Sequence, residues 1–217
     1  NSTSGNIVIT ESNDVAVNQL AQSTAGNISL TASAGSITIA SGQSGVTAVG
    51  TGTITLDAIG AASDININHT ITSASGAITL TADNDVIFTG TGSDITSASG
   101  AVSISADADV IAEAGIGGAL TMADGSVINA GSGAITLNAD ENITVETLTT
   151  SGNVTINSVS GAIVKQAADT GVLVTGALLD LDAKTGIALN TTATTLDALN
   201  STSGNIVITE SNDVAVN

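Results

Sequence analysis

Residues 71–94 read ITSASGAITLTADNDVIFTGTGSD, and residues 95–118 read ITSASGAVSISADADVIAEAGIGG. The two stretches are offset by 24 residues and match best over their first 17 positions. A repeat of this length is a supersecondary unit, too small to bury its own apolar face. Its kernel is Gly, any residue, aliphatic, any residue, aliphatic. In GAITLTA the aliphatic Ile78 and Leu80 alternate with Thr79 and Thr81. Strict alternation predicts a strand with one buried face.

The kernel recurs along the whole chain. It starts at Gly5, Gly26, Gly52, Gly76, Gly100, Gly133, Gly152, Gly176 (GALLD, a poorer copy) and Gly204. The unit averages about 25 residues. A second mark follows nine residues after the Gly, at Asp14, Gly35, Asp85, Asp109, Asn142 or Gly161, and opens another alternating segment such as DVAV or DVIF. Each unit therefore holds at least two short strands and a corner. Stacking equivalent strands in parallel, about 4.8 Å apart, buries the aliphatic faces. The predicted fold is all-β, a right-handed parallel β-helix of about eight rungs, each of roughly 25 residues. Eight rungs make a rod segment roughly 40 Å long. Gly and Asn or Asp are expected at the corners for their backbone freedom. The long gap from Gly100 to Gly133, containing GIGGALTMADGS, reads as a bulged loop or an irregular turn. An up-and-down barrel or a sandwich is the alternative fold, but it does not explain the 24-residue repeat.

A longer repeat overlies the short one. NSTSGNIVITESNDVAVN occupies positions 1–18 and again 200–217, an offset of 199 residues with all 18 positions identical. The chain thus reads as a single solenoid segment, 1–217. Residues 1–199 form one long tandem period and 200–217 the start of the next. Neither end has a cap-like sequence, so neighbouring copies of the repeat are the expected partners.

Composition narrows the functions. The chain has 217 residues, a net charge of −18 from 20 acidic and 2 basic side chains, and no Cys, Pro, Trp or Tyr. It cannot build the basic face that nucleic acid requires. No apolar run is long enough for a spanning helix, and an anionic membrane surface would repel it.

The runs SGNIVIT, AGNISLTAS, SGAITLTADNDV, SGAITLNADENITV and SGNVTI resemble the repeat region of filamentous-haemagglutinin-type exoproteins. These are very large bacterial surface adhesins. The resemblance covers nearly the whole chain and is weakest around 105–130 and 165–200. It implies a right-handed parallel β-helix, an extracellular, cell-surface or outer-coat location, and a structural, adhesin-like role with host or neighbouring cells as partners. The family's secretion-targeting domain has Asn-Pro-rich signatures, and this chain has no Pro.

Chemistry-bearing residues are few. His69 is the only His, lies between two expected strands, and has no Gly-x-Ser-x-Gly elbow to serve. Lys165 and Lys184 are the only basic side chains, which disfavours a carbohydrate-active β-helix enzyme, the third reading. No catalytic residue is assigned. A cation- or ice-binding module is the second reading. Asp83 and Asp85 occupy one corner, and Asp107 and Asp109 the same corner of the next unit, so stacked carboxylates there could share calcium. The competing account makes them solvated turn acids that cap strand ends. Thr53/Thr55, Thr79/Thr81 and Ser103/Ser105 are expected at one outward site on three successive units, the kind of array that orders water.

Overall fold

The computed structural model describes residues 1–107, 117–167, 169, 171 and 173–217. Among them are 25 strands and no helix, joined in one sheet whose pairings are parallel throughout. The architecture is a parallel β-helix. The chain runs along three faces in turn and comes back one coil higher.

The first face stacks Ile7–Glu11, Ile28–Ala32, Ile54–Ala58, Ile78–Ala82, Val102–Ala106, Ile135–Ala139 and Val154–Ser158. The second face stacks Val15–Val17, Ile37–Ile39, Ile65–Ile67, Val86–Phe88, Leu120–Thr121, Ile143–Val145 and Ile163–Lys165. The third face runs from Ser2–Ser4 through Gln19–Ala25, Gly45–Ala48, Ile71–Ser73, Ile95–Ser97 and Val127–Gly131 to Thr147–Thr150. Two long strands, Val174–Ala183 and Ile187–Asn200, then turn corners without a break and serve more than one face.

Alternation produces the core. Ile28, Ile54, Ile78 and Val102 stack in one inward row, and Leu30, Leu56, Leu80 and Ile104 in the next; all are at most 1% exposed. Each such side chain is roofed by its counterpart one coil up. Burial of a side chain of this size stabilises by about 1.5–3 kcal/mol. Phe88 joins the second face's inward row beside Ile67.

The kernel glycines serve close stacking more than unusual backbone angles. Gly52, Gly76, Gly100 and Gly133 do not have positive φ. A Cβ on Gly76 would lie 2.1 Å from Gly52 O, and one on Gly100 would lie 2.1 Å from Gly76 O. Gly5 and Gly26 do carry positive φ, at 89° and 135°.

Four sequence expectations need correction. First, Thr79 pairs with Thr55, and Thr81 with Asp57. Thr53 therefore lies outside the outward array, and an aspartate interrupts it. Second, Leu179, not Leu178, stacks on Val154, and Ala177 N donates to Gly152 O at 2.8 Å. The GALLD kernel is offset by one because only the alternation Leu179, Leu181, Ala183 is apolar; the other would turn Asp180 and Asp182 inward. Third, the strand over Val86–Ile87 is Leu120–Thr121, so ALT belongs to the regular stack rather than to a bulged loop. The DVIA segment at 109–112, Asp109 included, lies outside the described residues. Fourth, the kernel after Gly204 belongs to the second face: Ile206 pairs with Ile187, which pairs with Ile163. Its twin Ile7 is on the first face, against Ile28.

Candidate cation site and the corner ladders

The corners carry ordered polar ladders. Short polar residues at strand starts reach up one coil. Asp14 Oδ1 accepts from Ser36 N at 2.8 Å, Asp85 Oδ1 from Ala119 N at 2.8 Å, and Asn142 Oδ1 from Ala162 N at 2.9 Å. Asn27 Oδ1 does the same for Thr53 N at 3.0 Å. These bonds give backbone donors at the corners partners that the strand ladders do not supply. A second ladder runs inside. Ser73 Oγ donates to Gly52 O at 2.9 Å and accepts from Gly76 N at 2.9 Å. Ser97 repeats this between Gly76 O and Gly100 N, at 3.2 and 2.9 Å. The recurrent SASGA string is this device: a buried hydroxyl, then the glycine that must pack against the coil below.

The predicted acidic corner takes part in this stapling. Asp83 Oδ2 accepts from Gly60 N at 2.7 Å, and Asp85 is bonded as above. Asp107 adopts φ 62°, and its N–H donates to Asn84 O at 3.0 Å, so it stacks over Asn84 rather than Asp83. His69 is half-buried at the corner before Ile71–Ser73. Its Nδ1 accepts from Thr70 N at 2.7 Å, which leaves the ring proton on Nε2.

Among the described residues, a different set of carboxylates converges. Asp124, Glu146 and Asp169 each bring one oxygen to within 4.8 Å of the other two. They stand at the same corner, between second and third faces, on three successive coils. Asp124 lies in the turn between Leu120–Thr121 and Val127–Gly131. Glu146 is the single residue between Ile143–Val145 and Thr147–Thr150. Asp169 lies between Ile163–Lys165 and Val174–Ala183. The tight middle corner is flanked by wider ones, which leaves Glu146 only 5% exposed.

Burial is the largest influence on Glu146, pushing its pKa up to about 7. A proton shared with Asp169, the charge of Asp169 and the charge of Asp124 act in the same direction, while the Gly125 N–H bonded to Glu146 pulls it down. Among the described residues, no donor reaches Glu146 Oε2 or Asp169 Oδ2. With both acids ionised, that gap needs a proton or a cation. Lys165 sits in the inward row beside Val145 and gives its Nζ to the Asp169 carbonyl. The signal in the sequence was spacing: the three acids lie 22 and 23 residues apart, close to one coil.

Elsewhere the outward acids crowd one another. Burial and Asp83 push Asp57 upward, and burial with Asp180 and Asp197 does the same to Asp182. No family model, curated protein or solved structure matches the chain.

Proposed function

We propose that this chain is a rod segment of a large secreted bacterial surface protein of the filamentous-haemagglutinin kind. Its role is to project or coat, in an adhesin-like and non-catalytic way. The observation that carries this reading is the continuity of coil-to-coil register: from Ile7 to Leu196 the first face returns eight times without losing its inward row. A stack of this kind resists bending through parallel backbone ladders and a dry aliphatic interior, and its length scales with the number of coils. The 18-residue identity at an offset of 199 residues supports a tandem array, with neighbouring copies as the immediate partners. A charge of −18 suits a solvated extracellular surface and opposes contact with nucleic acid. Host or neighbouring cell surfaces are the partners at a distance.

Chains carrying one, two and three copies of the 199-residue period test this by small-angle scattering and negative-stain microscopy. The maximum dimension rises by about 40 Å per added copy at constant cross-section. A cross-section that grows with copy number, or turnover of an oligosaccharide by the single copy, overturns the reading.

A further inference from the structure

We propose that Asp124, Glu146 and Asp169 form a calcium site that clamps three successive coils together at one corner. The proposal is independent of the rod's biological role.

Three observations carry it. The oxygens of the three acids come from three coils yet lie within 4.8 Å of one another. Glu146 is a carboxylate with 5% exposure whose Oε2 finds no donor among the described residues, and it is directed into that cluster. Asp169 Oδ2 is buried and likewise meets no donor among the described residues. A buried acid with no partner is costly, and a metal ion is one of the few ways to compensate it.

The chemistry selects the ion. The three ligands are carboxylate oxygens, which suit hard cations over zinc or copper. Calcium bonds oxygen at about 2.4 Å, so three oxygens share it when about 4.2 Å apart, which carboxylates already within 4.8 Å of one another reach by small side-chain rotations. Magnesium at about 2.1 Å demands a tighter and more regular set. Asp124 is exposed, so water can reach the ion from that side and complete its shell. Because each ligand belongs to a different coil, binding opposes separation of the coils, as a staple would.

The test uses the full 217-residue chain after dialysis against chelator. Calorimetric titration with calcium chloride should give one ion per chain with a Kd below about 1 mM. At about 10 mM calcium the melting temperature should rise by about 3–10 °C. Magnesium at the same concentration should give less than half that shift. Glu146→Gln keeps the side chain's size and removes its charge. In chelator it should melt no lower than the parent, and its calcium shift should vanish. Asp85→Asn, at the other acidic corner, should keep the shift. The proposal is overturned by a parent protein that calcium leaves unchanged, by a Glu146→Gln variant that retains the shift, or by an Asp85→Asn variant that loses it. An equal response to magnesium overturns the choice of calcium.

Discussion

The string at 1–18 and its identical copy at 200–217 take up different faces of the same solenoid. In the first, Ile7–Glu11 lies on the first face against Ile28–Ala32, and Val15–Val17 follows on the second against Ile37–Ile39. In the other, Ile206–Glu210 lies on the second face against Ile187–Thr191, and Val216 reaches Leu196 on the first. The offset of 199 residues carries the chain through eight coils and one further face. Identical residues keep the same alternation in the kernel, so Ile7–Glu11 and Ile206–Glu210 are both strands, whereas Ser2–Ser4 is a strand and its counterpart at 201–203 is not. What differs is the coil beneath. An inward Ile, outward Val, inward Ile pattern fits any face, because every face asks only for apolar residues at every second position. The face is assigned by the partner strand and by the length of chain used before it.

Covering coils are the other half of this comparison. In the interior, Ile104 is roofed on both sides and fully buried; Ile9, in the end coil and covered on one side only, is half-buried. In the second copy Ile206 is 45% exposed. The largest effect should therefore come from truncating the roofed row. Ile104→Ala should cost about 4 kcal/mol in denaturant unfolding, and Ile9→Ala about 1 kcal/mol. Equal losses would mean that stacking above and below does not determine a coil's stability.

The kernel glycine sharpens the same contrast. Gly76→Ala forces a Cβ against Gly52 O, a backbone atom that can yield only if the coils part. It should cost about 3 kcal/mol. At Gly5, nothing lies within 4 Å of the added carbon, and only the φ of 89° resists. Gly5→Ala should cost about 1 kcal/mol. Both are read from urea midpoints at constant slope.

A smaller effect tests the coil that carries the second copy. There Asp180 pairs with Asp197, and Asp182 is held above its usual carboxylate range by burial and by those two charges. A raised folded-state pKa means the folded chain holds its proton longer than the unfolded one. Stability from this source is full below the unfolded value of 3.8 and is lost as pH rises through the folded value. The melting temperature should rise modestly as pH falls from 7 towards 4. Asp182→Asn should raise the melting temperature at pH 7 and narrow that pH response. A melting temperature that falls steadily from pH 7 to pH 4 would contradict the sign.

Much of this was legible in the sequence. The 24-residue repeat and the Gly-x-aliphatic-x-aliphatic kernel lead directly to the rows Ile54, Ile78 and Val102. The start of the coil's second face at Leu120 is not legible, because the number of residues between strands leaves the strand pattern unchanged. The register at Leu179 is legible in its alternation with Leu181 and Ala183, but the spacing from Gly176 points to Leu178 instead. The convergence of Asp124, Glu146 and Asp169 was hidden for a related reason. Its members lie in corners of different lengths on separate coils, so no contiguous motif joins them.

The central claim is that each coil lies parallel and in register on the one below. Disulfide formation between paired cysteines tests it most directly. Thr55 and Thr79 are outward, on adjacent first-face strands, and directly paired. Their spacing of about 4.8 Å falls within the range a disulfide spans. Mild oxidation should close Thr55→Cys with Thr79→Cys nearly quantitatively, and Thr53→Cys with Thr79→Cys hardly at all. Efficient closure of the second pair, or failure of the first in a folded chain, would contradict the account.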